Sequence, residues 1–371
     1  MQERWIAGRM SQIEASGIRR AFELARSLPD PVNLSIGLPD FDVPDALKEA
    51  AIAAIREGCN RYTLTGGLPE LRSKLQAHVD RTYGHADRQV LVTAGTAGGL
   101  LLALCATVEP GDEVIVLDPY FVMYNNLVAL AGGTAVIVET YPRFDLPVDR
   151  IAGAITPQTK CIIVNSPNNP TGVMYEAAQL ERLAALCRER EVLLISDEVY
   201  RAFCFDEAFA SPASWNEDVL VVDGFSKSYG MTGWRLGFAH GPARLIEEMT
   251  KLQQFSFVCA PAPLQKGVLN ALELDLGPQV ALYRQKRDRL LSALGDLYDL
   301  PHPGGAFYAF PRIPEHYSSA TDFVREALKH QLVVIPGHVF SRRDTHFRIS
   351  YAVDDRTLER GLEILRGLAR P

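Results

Sequence analysis

A chain of 371 residues, 47% hydrophobic and 22% charged, has ordinary globular composition and enough length for one large unit and a smaller one. Its formal charge of −7 removes the electrostatic case for a nucleic acid or an anionic membrane as partner. The longest apolar stretch, Leu100–Val108, is far short of the roughly 20 residues needed to cross a bilayer.

Between residues 90 and 240, seven short runs rich in Val, Ile and Leu predict strands. They are Val90–Thr93, Val114–Leu117, Ala135–Val138, Cys161–Asn165, Val192–Ser196, Val219–Val222 and Arg235–Ala239. Runs that stay apolar, instead of alternating with polar residues, belong to strands buried on both faces. Helical patterns separate several of them. Leu100–Ala106 reads as one helix, and Glu176–Arg190 is the clearest, with Leu180, Leu183, Ala184, Leu186 and Cys187 on one side. The alternation predicts an open α/β sheet, mostly parallel, with helices on both faces. After residue 300 the pattern changes. Ala306–Phe310, Leu332–Ile335 and Phe347–Ala352 read as strands, a helix is expected from about Asp354 to Leu368, and the whole makes a separate α+β unit. Cys105, Cys161 and Cys187 lie in apolar or amphipathic runs and are expected to be buried free thiols. With no apolar signal core in Met1–Gly17, the expected location is the reducing cytoplasm. The eight histidines show no HExxH spacing, and no metal is expected.

Residues with chemical potential recur where these strands end, the edge at which open α/β sheets bind ligands. The first strand runs into Thr93-Ala94-Gly95-Thr96-Ala97-Gly98-Gly99 and then a helix. Unpaired amides and the positive dipole end of that helix suit a phosphate; an ordinary glycine-rich turn is the plain alternative. Phe121 follows the second strand in Asp118-Pro119-Tyr120-Phe121 and by itself reads equally as a core aromatic. After the fourth strand, Asn165-Ser166-Pro167-Asn168-Asn169-Pro170-Thr171-Gly172 is a loop stiffened by two prolines and a glycine. The fifth ends in Ser196-Asp197-Glu198-Val199-Tyr200. A buried carboxylate needs a partner. If the strand continues, Asp197 and Glu198 face opposite sides, and Asp197 is the better candidate for the ligand side.

The most informative stretch is Gly224-Phe225-Ser226-Lys227-Ser228-Tyr229-Gly230-Met231-Thr232-Gly233-Trp234-Arg235-Leu236-Gly237. Lys227 follows directly on a strand, among small residues, with Arg235 eight positions on. A lysine that titrates near its ordinary value of about 10.4 is a poor nucleophile; partial desolvation and a nearby cation favour the neutral amine or a Schiff base. The small neighbours leave room for a flat aromatic aldehyde, and the fork of Arg235 suits a phosphate. These three features together point to pyridoxal phosphate (PLP). A lysine and an arginine eight apart would, without the rest, be surface charge.

The segment resembles the lysine signature of the class I/II aminotransferases, PLP enzymes of fold type I related to aspartate aminotransferase. The similarity runs from about Ile18 to the C-terminus, with the other motifs in the family's order. It implies a mostly parallel seven-stranded sheet in a large domain, residues 40–288, and a smaller α+β domain made of residues 1–39 and 289–371. It implies that Lys227 bonds the cofactor and that Gly95, Thr96, Ala97, Ser226 and Arg235 hold its phosphate. Phe121 is then expected to stack on the pyridine ring, Asp197 to pair with the ring nitrogen, and Asn169 and Tyr200 to reach the phenolic oxygen. Arg348, between Phe347 and Ile349, is expected to grip the substrate α-carboxylate by a bidentate pair, beside Gly37 and Asn169. Arg342 and Arg343 look more solvent-like. Tyr62 is expected to reach the phosphate in a neighbouring subunit, which would make the protein a homodimer with sites at the interface. Two positions depart from the pattern. Gly224 stands where some members carry a phosphate-binding serine, a bond that Ser226 could replace, and Val339-Phe340-Ser341 lacks a glycine often found after the phenylalanine.

The implied activity is transfer of an amino group from an amino acid to a 2-oxo acid, with Lys227 moving the α-proton and ping-pong kinetics. A carbon–sulfur β-lyase begins with the same proton abstraction and stays open as an alternative. A non-catalytic PLP-binding regulator would call for a DNA-reading extension, and the N-terminal arm is short for one. Phe255–Pro263 offers no cation for a distal carboxylate. With Tyr120, Ile18 and Phe22 as wall residues, the lean is towards neutral or aromatic amino acids.

Overall fold

The computed structural model describes residues 3–370 other than 16, 19, 20, 22–24 and 27. After a short β1 (Val32–Asn33), seven strands build one sheet: β2 (Arg88–Thr93), β3 (Glu113–Asp118), β4 (Thr134–Glu139), β5 (Thr159–Asn165), β6 (Leu193–Asp197), β7 (Leu220–Gly224) and β8 (Gly237–Pro242). Their spatial order is β2-β8-β7-β6-β5-β3-β4. Strand β8 runs antiparallel to both neighbours, and every other pairing is parallel.

The strands are apolar throughout because both faces are covered. Val114 and Val116 join a core shared with the helices Gly95–Thr107, Met123–Ala131 and Ala243–Phe255. Ile115 and Leu117, one residue out of phase, join a second core with the helices Val148–Ala154 and Ala177–Glu189. Cys161 and Ile163 divide from Ile162 and Val164 in the same way. Each buried Val, Leu or Ile side chain contributes about 1.5–3 kcal/mol, so the sheet is a rigid platform for whatever its ends carry. Helix Ala177–Glu189 starts at a capping box between Glu176 and Gln179, and buries Leu180, Leu183, Ala184 and Cys187.

The C-terminal strands are shorter than the sequence predicts. The run at Ala306–Phe310 yields only β9 (Tyr308–Ala309). The run at Leu332–Ile335 divides into β10 (Leu332–Val333), which pairs parallel with β1, and β11 (Ile335–Pro336), which pairs antiparallel with β12 (Phe347–Ser350). One apolar run thus serves two sheets, and β12 is flanked on its other side by β9. The last helix, Asp355–Leu368, is capped by the Asp354 carboxylate, which accepts from Thr357 N at 2.9 Å.

Two expectations are corrected. Cys105 is exposed, because it lies on the solvent side of a helix whose buried set is Leu100, Leu102, Ala103 and Leu104. Arg235 does not begin a strand. It closes the turn Thr232–Trp234 in the left-handed region, at φ 56°, and β8 starts two residues later. The apolar residues around Arg235 hide this turn from a periodicity argument.

The segment before the large sheet ties the C-terminal strands to the sheet's ligand edge. Leu34 N donates to Val333 O and Ser350 N to Leu34 O, at 2.9 and 2.8 Å. At Gly237 a side chain has nowhere to go: a Cβ there would lie 2.7 Å from both Gly95 C and Thr96 N, backbone atoms of the helix start beside β8. Gly237→Ala is therefore expected to cost about 1–3 kcal/mol by overpacking against an unyielding main chain. Equilibrium denaturation measures it, and an unchanged midpoint would show that the contact is slack.

Candidate active site

Strand ends, a helix start and the segment around Gly37 open on one cavity of about 660 Å³. Of the residues singled out in the sequence, Gly37, Thr96, Ala97, Phe121, Asn169, Asp197, Tyr200, Ser226, Lys227, Arg235 and Arg348 line it, and Gly95 stands at its edge beside the Arg235 guanidinium. Ile18 also lines the cavity; Tyr120 does not, and instead packs against the core beneath the helix Met123–Ala131. Phe22 lies outside the described residues.

Lys227 sits in the short helix Phe225–Ser228 that caps β7. Its Nζ donates to Gly37 O at 2.6 Å and lies 5.9 Å from the centre of the Tyr200 ring. Burial, then the positive charges of Arg348 and Arg235, lower its pKa to about 8, against the opposing pull of Asp197. At pH 7 roughly a tenth is thus a neutral amine, against almost none for an ordinary lysine.

Asp197 ends β6 at the floor of the cavity, where burial raises its pKa to about 6. Tyr124 Oη donates to its Oδ2 at 2.7 Å and Val199 N to its Oδ1 at 3.3 Å, and both bonds favour the ionised form. Glu198 turns to the opposite side. There it accepts from Ser196 Oγ at 2.9 Å and Ser211 Oγ at 2.5 Å, so it takes no part in the cavity. Tyr200 Oη meets Tyr308 Oη at 2.8 Å and accepts from Asn169 Nδ2 at 3.4 Å. Burial pushes the Tyr200 phenol well up, which keeps it a proton donor.

Arg348, in β12, is 1% exposed and has no carboxylate partner among the described residues. Its Nη1 donates to Asn169 Oδ1 at 3.0 Å and Nη2 to Ser35 O at 2.7 Å. The Tyr308 and Phe340 rings cover the guanidinium at 4.7 and 4.6 Å. Its Nε is buried without a partner. A cation held in this way is complementary to an incoming carboxylate.

The other end of the cavity suits a phosphate. Gly95, at φ 72°, opens the helix Gly95–Thr107, and a Cβ on it would meet the Arg235 guanidinium at 2.5 Å. Arg235 reaches Ala94 O and Thr232 O, at 3.4 and 3.2 Å, which holds its fork beside the helix amides. Thr96 Oγ1 is buried and has no hydrogen-bond partner. It also explains Gly224, since a Cβ there would lie 2.7 Å from Thr96 Oγ1. An orphaned hydroxyl, a guanidinium and a helix N-terminus at one end, with a lysine and a carboxylate between them and Arg348, fit PLP and a substrate carboxylate.

Two residues escaped the sequence reading. Tyr124 lies in the first turn of the helix Met123–Ala131, three residues after Phe121, and a buried aspartate in need of a donor was the available signal. Tyr308 lies in an apolar run that gives no hint of its bond to Tyr200. Its hydroxyl also explains Gly37, where a Cβ would come within 2.5 Å of it. Tyr62 stands apart from all of this. It is 83% exposed, in a surface groove with Asn60, Arg61 and the stretch from Cys259 to Pro263.

The family model described as aminotransferase class I and II matches residues 29–365. The chain is 38% identical to the aspartate/prephenate aminotransferase of Thermus thermophilus, over 93% of this chain and 92% of that protein. It is 34% identical to aromatic-amino-acid aminotransferase 2 of Thermococcus litoralis, over 96% of each. The structure of the Thermus thermophilus aspartate aminotransferase with maleate superposes with a TM-score of 0.92 at 35% identity, covering 98% of this chain and 99% of that one.

In the protein without cofactor, Lys227 is expected to titrate near pH 8, well below an ordinary lysine. Removing a neighbouring positive charge makes protonation easier, so Arg235→Gln is expected to move that value upward. Competitive acetylation across a pH series, read at residue 227 by mass spectrometry, measures both; an amine titrating at 10 or above would refute the assigned environment.

Proposed function

The chain belongs to the class I and II aminotransferases, a PLP-dependent family, and we propose that within it Lys227 carries the cofactor and moves the substrate's α-proton. The protein is an aminotransferase of fold type I. The observation that carries the residue assignments is the convergence of a lysine with a lowered pKa, a carboxylate steadied by Tyr124 and a buried guanidinium without a counter-ion among the described residues on one cavity.

Once bound, the cofactor supplies the electron sink for bond breaking at the substrate's α-carbon. Gly95, Thr96 and Ala97 at the helix N-terminus, with Ser226 and Arg235, would hold its phosphate, and Phe121 would stack on its ring. Asp197, ionised at neutral pH, would hold a proton at the ring nitrogen. Asn169 and Tyr200 would donate to the phenolic oxygen. Arg348 takes the substrate α-carboxylate, beside Gly37 and Asn169, and so fixes which bond at the α-carbon faces Lys227. Lys227 accepts the proton as a neutral amine and returns it as an ammonium, roles suited to a group with a pKa of about 8. Amino acid and 2-oxo acid would share the Arg348 anchor and bind in turn, so ping-pong kinetics are expected. The same reading takes residues 40–288 as the large domain, 1–39 with 289–371 as the small one, and the cytoplasm as the location.

The reading includes a homodimer in which Tyr62 of one copy reaches the phosphate site of the other. Its support is an aromatic residue left 83% exposed in a groove that also holds Ala260, Pro261, Ala262 and Pro263. On this account Tyr62→Phe removes one hydrogen bond to a charged group and weakens PLP binding roughly tenfold. Equilibrium dialysis of the dimer tests it, and a monomer with full cofactor affinity would end the proposal.

The central assignment has its own test. Borohydride treatment of the PLP-loaded protein is expected to leave a cofactor adduct at residue 227, and Lys227→Ala to lower kcat/KM by roughly a hundredfold to ten-thousandfold or more. Product analysis is expected to give one new amino acid per 2-oxo acid formed. Ammonia and pyruvate released from cystathionine without an acceptor would identify a β-lyase instead.

A further inference from the structure

Among the described residues that line the cavity, the cations are Lys227, Arg235 and Arg348. Each is already committed to the cofactor or to the α-carboxylate. The acids are Asp197, at the floor, and Glu14, at the rim. Glu14 is held in place by its main chain: its N donates to Asn126 Oδ1 at 3.1 Å, and Asn126 Nδ2 donates to Val122 O at 2.9 Å. That pins it to the start of the helix Met123–Ala131, directly after Phe121, while its side chain is exposed at the cavity mouth. Ile18, four residues on, packs against the cluster that contains Phe340, the ring that covers Arg348. The described residues that line this part of the cavity wall include apolar Ile13, Ile18, Leu38 and Val122, with Asn126 and the Glu14 carboxylate among them.

We propose that Glu14 sorts substrates by side-chain charge. It disfavours amino and 2-oxo acids that carry a second carboxylate, and leaves neutral apolar or aromatic ones as the preferred class. The inference rests on Arg348 as the anchor for the α-carboxylate. Once that group is fixed, the far end of the side chain is directed at the wall. A distal carboxylate arriving there meets a like charge and, among the described residues that line the cavity, no uncommitted cation. A neutral side chain meets no such penalty and gains apolar contact. Because Glu14 is exposed, its field is screened, so the effect is modest and depends on salt.

The test compares kcat/KM for aspartate and for phenylalanine in the PLP-loaded wild type, Glu14→Gln and Glu14→Lys, at low and high ionic strength. At low salt the aspartate-to-phenylalanine ratio is expected to rise about three- to tenfold in Glu14→Gln and further in Glu14→Lys, mainly through KM for aspartate. High salt is expected to shrink the difference, which a purely structural role for Glu14 would not produce. A ratio unchanged within roughly twofold in both variants would overturn the inference, as would a wild type that prefers aspartate. Turnover of neither substrate class would overturn the active-site reading itself, and the role of Glu14 with it.

Discussion

A guanidinium taken out of water with no carboxylate opposite it among the described residues is an unfavourable thing to build, and Arg348 is the constraint around which the rest of the site is arranged. The effective penalty for such a buried ion is several kcal/mol. Carbonyl oxygens from Ser35 and Asn169 and the faces of two aromatic rings offset part of it. None of them cancels the charge, so a strong preference for an anion is left in the cavity. The same field reaches Lys227 and, after burial, is the largest cause of its lowered pKa. One charge thereby sets both what the cavity attracts and how its amine is protonated.

The segment Leu34–Gly37 makes that arrangement a mechanical unit. Successive carbonyls go to different parts of the molecule: Leu34 O to Ser350 N at the end of β12, Ser35 O to Arg348 in its middle, Gly37 O to Lys227 beyond β7. A displacement of β12 relative to the large sheet therefore shifts the anchor and the amine through a single stretch of chain. Tyr308 reinforces the link, since its ring covers Arg348 and its hydroxyl bonds Tyr200.

Most of the large sheet was legible in the sequence because strands covered on both faces must be apolar at every position, and seven such runs stand out. The C-terminal strands were less so. Elements two residues long carry too little pattern, and β10 pairs with β1 across about 300 positions, between Val32 and Leu332. Arg235 was misread because a left-handed turn among apolar residues looks like a strand. The residues that carry the lysine signature were legible in detail, since a nucleophile, small neighbours and a guanidinium have chemistry that shows in their identities. Tyr124 and Tyr308 were not. A tyrosine in an apolar run looks like core, and the hydroxyls act on Asp197 and Tyr200, 73 and 108 residues away along the chain. Tyr62 belongs to a different category, because no property of a single chain can reveal what faces it in an assembly.

Adjacent acids on one strand, Asp197 towards the ligand and Glu198 towards Ser196 and Ser211, have an evolutionary consequence. Side chains alternate across a sheet, so deleting a single codon between Leu193 and Asp197 would turn the longer acid to the ligand side and the shorter one to the other face. Such a mutant would keep its formal charge while losing the distance on which Asp197 depends. Length variation among descendants of this gene should then collect in the connections on either side and spare these five positions.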